Sequence, residues 1–117
     1  MAYDENLADR IRALLADESG VTEQTMFGGR AFLVGGNLAI AASSHGGVLV
    51  RAGVEQSERL VARSSAEVAV MRGRPMTGWL RVRPEDLRTR RQLARWVTMG
   101  TDVARSLPRK RPKRRKA

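Results

Sequence analysis

The sequence has no cysteine, one histidine, and only two tryptophans, two phenylalanines and one tyrosine among its 117 residues. Without cysteine there is neither a disulfide framework nor a thiolate metal site. A single histidine leaves few other metal ligands, so no metal or other cofactor is expected. Aromatics at 4% of the chain are too sparse to interleave with basic residues as a base-stacking platform. No apolar run approaches the roughly 18 residues that a membrane-spanning helix needs. The first residues, Met1 to Asn6, carry acids early and no apolar stretch, which argues against a signal peptide. These absences lead to the expectation of a cytoplasmic protein with no membrane partner.

Lysine is missing from almost the whole chain and then appears at once. Residues 1–104 hold fourteen arginines against twelve acids, whereas residues 105–117 hold eight basic residues and no acid, including all three lysines (Lys110, Lys113, Lys116). The formal charge of +10 is therefore concentrated in the C-terminal stretch. Length suits one domain, and the composition divides the chain into a domain at 1–108 and a basic tail at 109–117. Like charges in the tail repel, and Pro108 and Pro112 oppose helix, so a disordered arm is expected.

Periodicity predicts a helix over 4–17, with Leu7, Ile11, Leu14 and Leu15 as its buried stripe, Asp4 as N-cap and Ser19-Gly20 as its stop. Short strand signals follow at 21–27, 31–34, 38–42 and 48–51. Gly35-Gly36-Asn37 forms a hairpin loop and residues 43–47 the next turn. A second helix is expected over 53–63 with Val54, Leu60 and Val61 facing inward. Strands at 67–71 and 78–82 flank a loop at Gly73-Arg74-Pro75-Met76, and Pro84 opens a short turn through Leu87. Thr89 and Gln92 form a capping box that starts a last helix, which keeps Leu93, Trp96, Val97, Gly100, Val103, Ala104 and Leu107 on one face until Pro108. Strands and helices that do not alternate strictly point to an α+β fold with an antiparallel sheet of five to six strands and helices near the N-terminus, middle and C-terminus.

The candidate sites are few. Tandem glycines in Met26-Phe27-Gly28-Gly29 expose backbone N–H groups that could hold an anion, but a core-packing pair followed by a bend explains them more simply. Arg74, beside a rigid proline, and Arg72 form a candidate anion-binding pair able to grip a phosphate or carboxylate. His45 lies among Ser43, Ser44 and two glycines in what reads as a surface turn, without triad geometry. The acids sit near helix ends, and no pair is singled out for acid–base work. Trp79 and Trp96 read as core or subunit-interface residues. No catalytic residue is assigned, and the chain is not expected to be an enzyme.

Three segments together are similar to the TfoX N-terminal domain family: Met26-Phe27-Gly28-Gly29 with Ala31 to Val34 and Gly36 to Ala39; Gly73 to Trp79; and the helix around Leu93, Trp96 and Val97 ending in Ala104 to Pro108. The resemblance spans about residues 3–108. It implies a compact, secretion-chaperone-like α+β domain, often dimeric through its sheet. It also implies a relation to the longer TfoX or Sxy regulators of bacterial competence genes, of which this chain would be a short stand-alone member lacking their C-terminal domain. The family brings no catalytic residues to carry over.

The tail carries the strongest functional signal. Arg105, Arg109, Lys110, Arg111, Lys113, Arg114, Arg115 and Lys116 are expected to attract nucleic acid by counterion release, with little sequence preference. The leading expectation is a non-enzymatic bacterial regulatory or nucleic-acid-associated protein, homodimeric and cytoplasmic, with the nucleoid as the place its tail would take it. A protein–protein adaptor with an incidental tail is the first alternative. A small-anion or nucleotide sensor built on Arg72 and Arg74 is the second.

Overall fold

The computed structural model describes residues 3–26, 28–44, 46–63, 66–71 and 73–108. The chain opens with α1 (Glu5–Leu14), where Asp4 caps the helix by accepting a 3.1 Å hydrogen bond from the Leu7 amide. Leu7, Ala8, Ile11 and Leu15 turn inward. The helix stops at Leu14, three residues short of the predicted end. The Leu15 amide donates to both Ile11 and Arg12 carbonyls, closing the last turn. Asp17 and Glu18 beyond it are acids at the negative end of the helix dipole, where continuation is disfavoured.

Six strands follow in one sheet: β1 (Val21–Met26), β2 (Gly29–Val34), β3 (Asn37–Ala42), β4 (Val48–Arg51), β5 (Glu67–Met71) and β6 (Arg74–Val82). Their spatial order is β1-β2-β3-β4-β6-β5 and every pairing is antiparallel. The expected α+β class with an antiparallel sheet is thus what the protein adopts. The first four strands form the expected meander. Gly35 and Gly36, at φ 60° and 83°, supply the two left-handed positions of a two-residue hairpin turn. β2 starts at Gly29, two residues earlier than the sequence suggested. A Cβ there would collide with the Ala42 carbonyl oxygen, so glycine is what lets β2 lie against β3 at that point. This favours the structural reading of the tandem glycines; Phe27 and His45 lie outside the described residues.

After β4, helix α2 (Val54–Arg63) carries the chain to the far edge of the sheet. There β5 forms the edge, and β6 returns between β5 and β4. Two expectations are corrected here. Val54 and Val61 do not face inward: they are 59% and 38% exposed. The buried side of α2 carries Ser57, whose hydroxyl donates to the Val54 carbonyl, and Leu60, which packs against the core. The second correction concerns the loop predicted at 73–76. Arg74, Pro75 and Met76 belong to β6, and only a tight turn at Gly73 (φ 76°) precedes them. β4 pairs only with Trp79 to Val82, so the first half of β6, where Pro75 opposes Val70, has a neighbour on one side alone, the kind of edge position in which a strand tolerates proline.

A 3-10 turn (Pro84–Asp86) leads into α3 (Arg90–Ser106), which the Thr89–Gln92 capping box starts with two reciprocal 3.0 Å hydrogen bonds. The core lies on one face of the sheet. Phe32, Ile40, Ala42, Val48, Val50, Leu80 and Val82 meet Leu7, Ile11 and Leu15 of α1 and Leu93, Trp96 and Val97 of α3. Trp96 is thus a core residue, as its helical face implied.

Ion pairs fasten α1 to the edge strand β1. Glu23 accepts from Arg12 Nε at 2.6 Å and from Arg30 Nε at 3.0 Å, while Arg12 also reaches Asp9. The hydrogen bond from Arg12 is the main reason the Glu23 carboxyl is pushed down to about 2. A carboxyl held lower in the folded state than in the unfolded chain stabilises the protein above its unfolded pKa. That contribution is lost as pH falls from about 4.5 to about 2. Glu23→Gln is expected to remove about 1 kcal/mol at pH 7, the figure being small because solvent screens the pair. Urea melts at pH 7 and pH 3 check this: the variant should differ from wild type at pH 7 and converge toward it at pH 3.

Candidate functional site

The root of the basic tail is anchored where α3 ends. The Asn37 side-chain amide, at the start of β3, donates to the Pro108 carbonyl at 3.0 Å and to the Ala104 carbonyl at 3.5 Å. Arg105, in the last turn of α3, donates to the Glu18 carboxylate at 2.6 Å and to the Ser19 carbonyl at 3.1 Å. Between these contacts lies an open cleft of about 420 Å³ lined by Gly20, Val34, Gly35, Asn37, Arg105 and Leu107. Chain exit is thereby fixed beside the β2–β3 turn.

The predicted basic residues divide accordingly. Arg105 is held by a carboxylate on the domain, while Arg109, Lys110, Arg111, Lys113, Arg114, Arg115 and Lys116 lie outside the described residues. Of the candidate anion pair, Arg72 also lies outside them. Arg74 is exposed at the start of β6, opposite Met71 in the β5–β6 register. Among the described residues no group of three or more His, Asp or Glu gathers as a metal site. No helix among them is long and apolar enough to cross a membrane.

A second feature follows from strand alternation. Phe32, Ile40, Val50 and Leu80 point into the core, so their neighbours Ala31, Leu33, Ala41, Leu49, Arg51, Trp79 and Arg81 lie on the opposite face. All three helices contribute to the core cluster, and none of these seven residues belongs to it. On this open face Leu33, Leu38 and Leu49 are half-buried, and the alanines between them are covered almost completely, Ala31 to 0% and Ala41 to 5% exposure. The result is a shallow apolar surface with small residues at its centre.

At the β4–β6 side of that surface, Arg51 and Trp79 are directly opposed in the ladder. The Arg51 guanidinium lies over the indole with its central carbon 4.3 Å from the ring centroid. Its Nε donates to the Leu38 carbonyl at 3.1 Å. That carbonyl lies beyond the last β3–β4 pair, Ile40 with Val50, next to an irregularity in the β2–β3 register. Desolvation pushes the Arg51 pKa down from its ordinary value. Trp79, expected in the core or at a subunit interface, is half-buried on the open face. No local pattern signals its pairing with Arg51, since the two residues are brought together by a ladder between non-consecutive strands.

No curated protein and no solved structure matches this chain. A family model described as the TfoX N-terminal domain matches residues 13–104, a span that runs from α1 to the last turns of α3 and takes in the whole sheet. The glycine-bounded meander, the Gly73–Trp79 segment and Leu93, Trp96 and Val97 of α3 fall within it, while Arg105 to Pro108, also part of the resemblance, lie just beyond it. On that match, the chain belongs to the TfoX N-terminal domain family.

Proposed function

We propose that this protein is a non-enzymatic bacterial regulator that associates with nucleic acid through its C-terminal arm, while the folded domain serves as a dimerisation or partner-binding module. Family membership supports a regulatory or competence-related role. The observation that carries the nucleic-acid part is the segregation of charge. A nearly balanced domain ends at an anchored Pro108, and seven basic residues follow it. An arm rooted at a fixed point and free of acids gains affinity for phosphates by releasing condensed counterions. On a dimer, two such arms would raise avidity through effective concentration.

The test is duplex DNA and RNA binding across a salt series. If about five phosphates are neutralised, doubling salt from about 100 to about 200 mM weakens binding about twentyfold. Full-length protein with Arg109, Lys110, Arg111, Lys113, Arg114, Arg115 and Lys116 replaced by Gln is expected to lose that salt-dependent binding and to melt at an unchanged temperature. Equal affinity in the two proteins would overturn the tail's role. The adaptor reading is favoured by a separate observation, the apolar open face of the sheet. On that reading Leu33→Glu and Leu49→Glu would abolish capture of a protein partner without touching nucleic-acid binding.

A further inference from the structure

Arg12, Arg30, Arg83 and Arg105 each reach a carboxylate. Arg51 does not. It is half-buried, its Nε is satisfied by a backbone carbonyl, and its two terminal nitrogens have no acceptor among the described residues. Taking a guanidinium partly out of water without a counter-charge is unfavourable. Stacking on the indole offsets some of that cost, since the ring quadrupole attracts a cation over its face and does so more strongly as the pair is desolvated. It does not neutralise the charge.

The same features pre-organise the group. The Nε bond and the Trp79 ring fix the plane of the guanidinium, so little rotamer freedom remains to be lost when an anion arrives. The terminal nitrogens make a fork matched to a phosphate or carboxylate. Arg81, exposed, follows Trp79 by two residues on β6 and adds a second cation to the same face. Leu49, opposite Arg81, and Leu38 supply apolar surface beside the fork. An inorganic anion would use the charges and waste the rest. A flat ring carrying an oxyanion uses the fork, the stacked plane and the leucines together. Arg74, the sequence-based candidate, has no such surroundings: it is exposed at a strand end.

We propose that Arg51, stacked on Trp79 and flanked by Arg81, Leu38 and Leu49, forms a binding site on the open sheet face for an aromatic oxyanion of the nucleoside-monophosphate class. The site belongs to the folded domain and is independent of the basic arm.

Tryptophan fluorescence of the full-length protein tests it at constant ionic strength. Trp79 is half-exposed and reports on the site, whereas Trp96 is buried in the core and supplies a constant background. Titration with AMP should change the emission saturably, and Trp79→Phe should remove the signal. Arg51→Gln is expected to weaken apparent affinity at least tenfold with only a small shift in melting temperature, because relief of the guanidinium's desolvation offsets the lost Nε bond and stacking. Arg51→Lys, which keeps the charge but not the fork, should weaken it at least fivefold. Adenosine alone should not saturate, and inorganic phosphate should bind more weakly than AMP. The protein with its seven tail residues changed to Gln should retain the AMP response, so the outcome is separable from that of the tail experiment. Absence of saturation, unchanged affinity in both Arg51 variants, or phosphate binding as tight as AMP would overturn the proposal.

Discussion

Phe32→Ala is expected to destabilise the domain by about 3–5 kcal/mol, a large part of the roughly 5–15 kcal/mol that holds a typical small domain together. Phe32 is fully buried in the middle of β2, between Glu23 on β1 and Ile40 on β3. Its ring belongs to the cluster that α1 and α3 close over, and the Arg12 guanidinium sits 5.8 Å from its centroid. Truncation therefore removes apolar contacts to both helices and leaves a void that the sheet backbone cannot collapse to fill. It also removes the surface beneath the Arg12–Glu23 pair. Urea unfolding should show a lower midpoint with little change in slope, since the surface exposed on unfolding hardly alters.

Gly100→Ala is expected to cost about 2–4 kcal/mol, against the usual sign for a helix interior, where replacing Gly by Ala gains about 1 kcal/mol. Gly100 is buried in the middle of α3, directly above β3. A Cβ there would run into the Ala39 carbonyl oxygen and crowd a methyl of Val50. The Ala39 oxygen belongs to a strand in the centre of the sheet and cannot swing aside as a side chain would. The helix must lift instead, opening the contacts that Trp96 and Val97 make one turn earlier. A melting temperature that rises in Gly100→Ala would show that helix propensity outweighs the close approach of α3 to β3.

How much of this was legible in the sequence depended on the range of the interactions involved. α3 was readable because its capping box and its 3.6-residue face are local: Thr89, Gln92, Leu93, Trp96 and Val97 declare themselves within two turns. The Gly35-Gly36 hairpin was readable for the same reason. The inward face of α2 was not, because Val54 and Val61 are as apolar as Leu60. What decides between them is the line along which the helix meets β6. The strand character of Arg74 to Met76 was hidden by a proline that would be excluded from a fully paired strand. Here it sits in a stretch with one neighbour. Among the candidate site residues, the tail was visible as bare charge. The Arg51–Trp79 pair depends on β6 lying next to β4 rather than β5 doing so, and no local pattern specifies that choice. Asn37, legible only as a turn residue, holds Pro108, 71 positions away, through one side-chain amide.

The sheet order has a consequence for how the chain reaches and leaves its folded state. β1 to β4 close by successive short turns, and β5 with β6 closes by another, so each piece assembles from contacts near in sequence. The two pieces join through a single ladder of four residue pairs, Val48 with Val82 through Arg51 with Trp79. That ladder spans the α2 connection and is the long loop-closure step of the topology. It is therefore a seam: the late event in folding, and the line along which β5 and β6 would part from the meander in a partial opening while α1 and most of α3 stay seated on β2, β3 and β4.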